Sequence, residues 1–268
     1  MNESNNTSEA KWRVSVATYN RVVFPHPQNG TWMLALERKA TWKKGTEQVQ
    51  VRSHPFGGAV RLLQPVSLQD IVGEIQFDGG PSQRERDFRI MISPSQWEAV
   101  RQYCLDHLVN QDDLELETLP DRELTEEFAD TIGVDLTPGL YQFRPLGFVV
   151  EDNPVPTDHA GAEGRLTVRV YRIFEVRITE AALCEKMFAA SQQHSDQDLG
   201  KLAIEDSHNG GRGRANSLLA LPLSRVAQFY LSLAPEARYR KHIVDGHELD
   251  ESVLAVLSEV DVPQYERI

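Results

Sequence analysis

The chain has 268 residues, 40% of them hydrophobic and 25% charged, which places it among globular proteins long enough to bury a substantial core. Its 28 basic and 40 acidic residues leave a formal net charge of −12. That balance argues against non-specific nucleic-acid binding, whose affinity comes from Lys and Arg neutralising phosphates. Two cysteines, Cys104 and Cys184, are too few for a disulfide framework or a four-sulfur zinc site, and no apolar run reaches the length of a membrane span.

Met1 to Lys11 is polar and lacks the apolar centre of a signal peptide, so a disordered tail and a cytoplasmic location are expected. Trp12 to Thr18, Trp32 to Glu37 and Glu47 to Arg52 read as strands, rich in β-branched and aromatic residues and bounded by the turn signals Gln28-Asn29-Gly30 and Lys44-Gly45. His54-Pro55-Phe56-Gly57-Gly58 breaks the pattern, Ala59 to Leu63 resumes it, and Asp87 to Ile92 alternates as a further strand. Ser93 and Pro94 mark a helix start, with Ser95 and Glu98 as an alternative capping box. Trp97, Val100, Cys104 and Leu108 then recur at helical spacing. Both cysteines fall among apolar helical neighbours, where buried free thiols are expected.

The segment 120–131 is an acidic helix. Thr118 is a candidate cap, Pro120 suits the first turn, and Asp121, Glu123 and Glu126 bring negative charge to the positive end of the helix dipole. At 100° per residue Glu123, Glu127 and Asp130 share a face with Glu126 beside them, while Leu124, Phe128 and Ile132 form a separate apolar stripe and Gly133 ends the helix. Carboxylates at this spacing repel one another. They read either as a solvated acidic face or as ligands for a hard divalent cation, which prefers oxygen donors. Tyr141 to Val150 and Arg165 to Ile178 are strand-like, with a Pro/Gly-rich loop from Asp152 to Gly164 between them. Helices are expected at Glu180 to Ala190, Ser224 to Leu233 and Leu249 to Leu257, separated by a long polar loop, Ser191 to Ser217.

Arg122-Glu123-Leu124-Thr125-Glu126-Glu127 resembles the Arg-Glu-x-x-Glu-Glu core of the box that defines the Nudix hydrolases, and Pro55-Phe56-Gly57-Gly58 is similar to the Pro-Gly-Gly that opens it. The resemblance implies an α+β fold, a Nudix-like α/β/α sandwich around a mixed sheet. It also implies a box split by an α/β insertion at about 62–113 and a helical C-terminal extension from about 179. A domain over 12–268 would follow the tail. The implied activity is divalent-metal-dependent hydrolysis of a nucleoside diphosphate linked to another group. Glu123, Glu126 and Glu127 would hold Mg²⁺ or Mn²⁺, and Arg122 would orient a carboxylate. The alternative is a catalytically inactive Nudix-like module that senses a nucleotide. The chain departs from the family in the long segment between Gly58 and Arg122, and in having Phe128-Ala129 where the family has a glycine two residues after Glu127. Glu115 or Glu117 stands in for the family's upstream glutamate without its spacing.

Other candidates follow from that reading. Gly57 and Gly58 would let backbone approach a phosphate, with Arg61 beside them. The run Gly210 to Arg214 would bring Arg212 and Arg214 to an anion through backbone N–H groups, although it lacks the Lys-Ser/Thr of a P-loop and also reads as a surface loop. Glu205 and Asp206 are candidate general bases. The insertion and the C-terminal helices would shape the substrate pocket or a homodimer interface. His54, next to the glycines, is the one histidine placed to take part; no two histidines have the spacing of a helical zinc pair.

Overall fold

The computed structural model describes residues 10–43, 48–119, 121–137, 139–157, 161–262 and 265–268. Most of the expected tail, the Lys44-Gly45 turn, Glu47, Pro120 and part of the Asp152–Gly164 loop lie outside the described residues. The strands are β1 (Trp12–Pro25), β2 (Trp32–Lys43), β3 (Gln48–His54), β4 (Phe56–Ala59), β5 (Arg89–Ile92), β6 (Tyr141–Pro156), β7 (Leu166–Ile178), β8 (Arg214–Pro222), β9 (His242–Val244), β10 (His247–Leu249) and β11 (Tyr265–Arg267). The helices are α1 (Val66–Val72), α2 (Gly80–Glu85), α3 (Trp97–Leu108), α4 (Asp121–Ile132), α5 (Ala181–Ser191), α6 (Asp196–His208), α7 (Leu223–Ser232) and α8 (Pro235–Arg238). Among the described residues no helix is long and apolar enough to cross a membrane.

The protein is α+β, built on one curled, mixed sheet ordered β11-β6-β7-β1-β2-β3-β10-β9. β1 is its axis. One edge runs parallel to β7 over eleven register pairs, from Arg13↔Thr167 to Val23↔Arg177. The other edge is shared in turn by β5, β4 and β2, all antiparallel. β2 continues past β1 to pair with β3 and carries β8 on its far side.

Side-chain alternation sorts the core into two faces. Val14 and Val16 face Trp97, Val100 and Cys104 of α3, while Val22 and Phe24, farther along the same face, meet Leu124 and Phe128 of α4 and Leu183 and Met187 of α5. The opposite face packs Leu34, Leu36, Leu219 and Leu221 against Val226 and Tyr230 of α7 and the turn of 3-10 helix at Glu251–Val256. Segment 62–113 holds α1, α2, β5 and α3, and its β5 is hydrogen-bonded into the main sheet.

Several local expectations change. β1 and β2 run well beyond the expected ends because tertiary pairing extends them. Within the His54–Gly58 break, His54 ends β3 and Phe56 opens β4, and the expected strand at Ala59–Leu63 is reduced past Ala59 to isolated bridges at Arg61 and Leu62. Two glycines carry no strand propensity, so β4 is invisible to pattern. Gly57 sits at φ +131, and a Cβ there would lie 2.1 Å from the Thr18 carbonyl oxygen, so only glycine permits this close pairing. The long polar loop resolves into α6 and β8. α6 is opened by a Ser195–Asp198 capping box, and its Leu199 and Ala203 are wholly buried against Ala40. At α3 the box is made by Ser93 and Gln96 rather than Ser95 and Glu98. The C-terminal third is mixed rather than helical, since it adds β8 to β11 and replaces the Leu249–Leu257 helix by β10 and a 3-10 turn.

Phe56 and Phe128, both 0% exposed, pack ring to ring at 4.8 Å between centroids and join β4 to α4. Phe128→Ala should therefore cost about 3–5 kcal/mol, read as a lowered urea midpoint with an unchanged m-value.

Candidate functional site

The acidic helix forms where the sequence places it. Leu124 and Phe128 are fully buried, and Gly133, at φ +61, closes the helix with its N–H on the Ala129 carbonyl at 2.9 Å. The Thr118 hydroxyl donates to the carbonyls of Asn110 and Gln111. With the apolar stripe turned inward, the carboxylates are left along β4 and the solvent.

The fold brings the two separated halves of the motif into contact. The Gly57 N–H donates to Glu127 Oε2 at 2.7 Å. A Cβ on Gly58 would stand 3.2 Å from the Glu123 carboxyl, so Glu123 lies directly over that glycine. β4 and α4 thus form one site despite the sixty-odd residues between them.

A third carboxylate, missed in the sequence, lies beside them. Glu37 alternates with Met33 and Ala35 on β2, so it faces α4; it is 2% exposed and paired with Lys39 Nζ at 2.9 Å. Nothing in a strand pattern distinguishes it except a charge at an inward position. Burial, then the proximity of Glu37, pushes the Glu127 carboxyl up to about 9, against the pull of the Gly57 N–H and Lys39. Two carboxylates and one ammonium leave a negative charge uncompensated here, and a proton on Glu127 neutralises it. His54, opposite Glu37 in the β2–β3 register, has Nδ1 3.8 Å from Asp250, and burial holds its imidazole below the ordinary value despite that neighbour.

Arg122 binds three carboxylates at once. Its Nε and one terminal nitrogen make a bidentate pair with Glu117 at 3.0 Å each, and it reaches Glu123 at 2.5 Å and Glu126 at 3.2 Å. These bonds, the Glu117 pair foremost, raise the guanidinium above its ordinary value. Arg122 is thus fixed most firmly by Glu117 and holds Glu123 and Glu126 beside it. Among the described residues no three His, Cys, Asp or Glu side chains converge closely enough to hold a metal ion. The donor chemistry nevertheless suits a hard cation. Glu127 and Glu37 are oxygen donors in a desolvated spot short of one positive charge, and Glu123 and Glu126 lie on the same helix, held by Arg122.

The expected arginines divide. Arg61 stays beside the site, bridging Asp87 and lining a cleft of about 730 Å³ with Arg84, Arg86 and Leu114; Asp87 feels both Arg61 and Glu123. Arg212 and Arg214 are not brought to the glycines. Arg214 pairs with Thr41, four residues and about 13 Å along β2 from Glu37. The N–H groups of Gly213 and Arg214 already donate to Asp206 Oδ2 at 2.9 and 3.1 Å, so this turn is closed by the protein's own carboxylate. That bond also gives Asp206 a structural role in place of the expected general base.

Two outcomes follow. Gly57→Ala should destabilise the protein by on the order of 3 kcal/mol, whereas Gly58→Ala should fold and only displace the Glu123 side chain, as paired urea titrations would report. Glu127 keeps its proton in the fold between pH 4.5 and about 9, where the unfolded chain has lost it, so stability falls as pH rises through that window. Glu127→Gln should match the parent near pH 4.5 and gain on it towards pH 8, by at most about 1.4 kcal/mol per pH unit. A gap that stays constant with pH would refute this. No protein-family description, curated protein or solved structure matches the chain.

Proposed function

We propose that the protein is a Nudix-like, divalent-cation-dependent hydrolase acting on a nucleoside diphosphate linked to another group. The observation that carries this reading is the contact of Gly57-Gly58 with Glu127 and Glu123 across a long intervening segment. A split phosphate-and-metal box needs that juxtaposition, and a merely solvated acidic helix does not. Glu127, Glu123 and Glu126 would hold Mg²⁺ or Mn²⁺. The cation would neutralise phosphate charge and lower the pKa of the attacking water. The space left by the missing Cβ at Gly57 and Gly58 is taken by the Thr18 carbonyl and the Glu123 carboxyl, so these glycines let the carboxylates approach the sheet, and Glu37 keeps a second carboxylate beside Glu127. Arg122 positions Glu123 through direct contact and is itself fixed by Glu117.

A nucleotide-sensing module without turnover is the second reading. It is favoured by Arg122 engaging both Glu123 and Glu126, and by the proton held on Glu127. A panel of ADP-ribose, NAD, dinucleoside polyphosphates and nucleoside triphosphates, assayed with Mg²⁺ or Mn²⁺, separates the two. The hydrolase reading expects metal-dependent release of a nucleoside monophosphate, lowered on the order of 100-fold or more in Glu127→Gln and in Glu126→Gln. Binding of a nucleotide without turnover would select the sensor, and neither binding nor turnover would remove both.

A further inference from the structure

The charged groups buried on β7 are paired, with one exception. Arg169 meets Glu151 at 2.6 Å and Glu251 at 3.1 Å, and Glu175 is bound by Arg144 and Arg177 at 3.0 Å each. Arg172, 8% exposed, has no such partner among the described residues. Its Nε lacks an acceptor, and its guanidinium lies against the rings of Phe148 at 4.4 Å and Phe174 at 5.1 Å. Burial alone acts on it, and lowers its pKa. On the adjacent strand Asn20 is 0% exposed, and neither polar atom of its carboxamide has a hydrogen-bond partner among the described residues. An unmet buried amide atom is destabilising, and an unpaired buried charge more so.

Register shows where these groups lie. Gly58 on β4 pairs with Thr18 on β1, Thr18 with Arg172 on β7, and Arg172 with Phe148 on β6. Side chains paired in register point to the same side of the sheet. This row therefore lies on the face carrying α3 and α4, in the polar interval between their two hydrophobic clusters. Asn20 occupies the same face two residues beyond Thr18. Strands are about 4.8 Å apart, so Arg172 stands two spacings, about 10 Å, from Gly58 and the Glu123 carboxyl above it.

We propose that Arg172 and Asn20 form an anion-binding floor for the substrate, receiving the phosphoryl group that lies farther from Gly57-Gly58. This rests on the hydrolase or sensor reading for the identity of the ligand, and it adds where the diphosphate runs: across the sheet from β4 to β7. The guanidinium supplies charge-assisted hydrogen bonds to phosphoryl oxygens, and the carboxamide supplies a neutral donor. The aromatic rings hold the guanidinium by cation–π contact while the anion is absent.

The test uses the full chain with adenosine 5′-(α,β-methylene)diphosphate, which cannot be hydrolysed between its phosphates, and with inorganic pyrophosphate, each titrated calorimetrically with Mg²⁺. Arg172→Met should bind both probes at least tenfold more weakly, and Asn20→Ala several-fold more weakly. The ligand-free Arg172→Met protein should melt at or above the parent temperature, because an unpaired buried charge has been replaced by an apolar chain of similar length. A purely structural Arg172 would give the reverse: unchanged affinity and a lower melting temperature. Should Arg172→Met fail to fold, Arg172→Lys must weaken binding at least threefold while melting with the parent, and equal affinity in that variant overturns the proposal. Failure of either idea is separately visible. Unchanged binding in the Arg172 variants alongside turnover lost in Glu127→Gln removes the anion floor and keeps the hydrolase. Weakened binding in a protein that never turns over keeps the floor and removes the hydrolase.

Discussion

The hydrogen bond from the Gly57 amide to the Glu127 carboxyl ties the rest of the site together. It exists because Gly57 is held at φ +131 with the Thr18 carbonyl oxygen in the place a Cβ would need, a position closed to any side chain. That close pairing of β4 with β1 turns the Gly57 N–H towards α4. Phe56 and Phe128 then lock the two elements together through their rings. One backbone constraint thus aligns a sheet edge, a helix and three carboxylates.

Electrostatics at this joint follows from burial rather than from the number of acidic residues. Glu126, exposed at the helix surface, and Glu127, turned towards the sheet, are neighbours in sequence but occupy different dielectric surroundings. Arg122 collects Glu117, Glu123 and Glu126 on the solvent side and leaves Glu127 to share the interior with Glu37 and Lys39. The interior trio is short of one positive charge, while the outer set is held by a guanidinium. A cation entering this region would draw on both groups, replacing a proton on one side and competing with an arginine on the other.

The same sheet face explains why the polar residues of β1 and β7 are tolerated. Thr18, Asn20 and Arg172 lie where the cluster under α3 ends and the cluster under α4 and α5 begins. A continuous apolar face would bury more area there and avoid unmet polar atoms. Elsewhere on β7 burial of charge is compensated within the protein, as at Arg169 and Glu175. The interval at Arg172 stands apart because no described residue supplies a compensating charge.

The sequence by itself determined the acidic helix, its inward stripe of Leu124 and Phe128, its glycine stop, the free buried cysteines, and most strands and helices. These follow from short-range periodicity and capping, which residues a few positions apart decide among themselves. Tertiary structure decided what periodicity cannot carry. A strand made of glycines needs a partner before it exists, and α6 was hidden by its polar surface until Leu199 and Ala203 found Ala40. Glu37 became a site residue only when β2 turned that position towards α4. Arg214 and its neighbours lost their anion-binding role when Asp206 took their N–H groups. The pairing of Gly57 with Glu127, suggested by a motif split along the chain, was settled by strand register and by the space a missing Cβ leaves open.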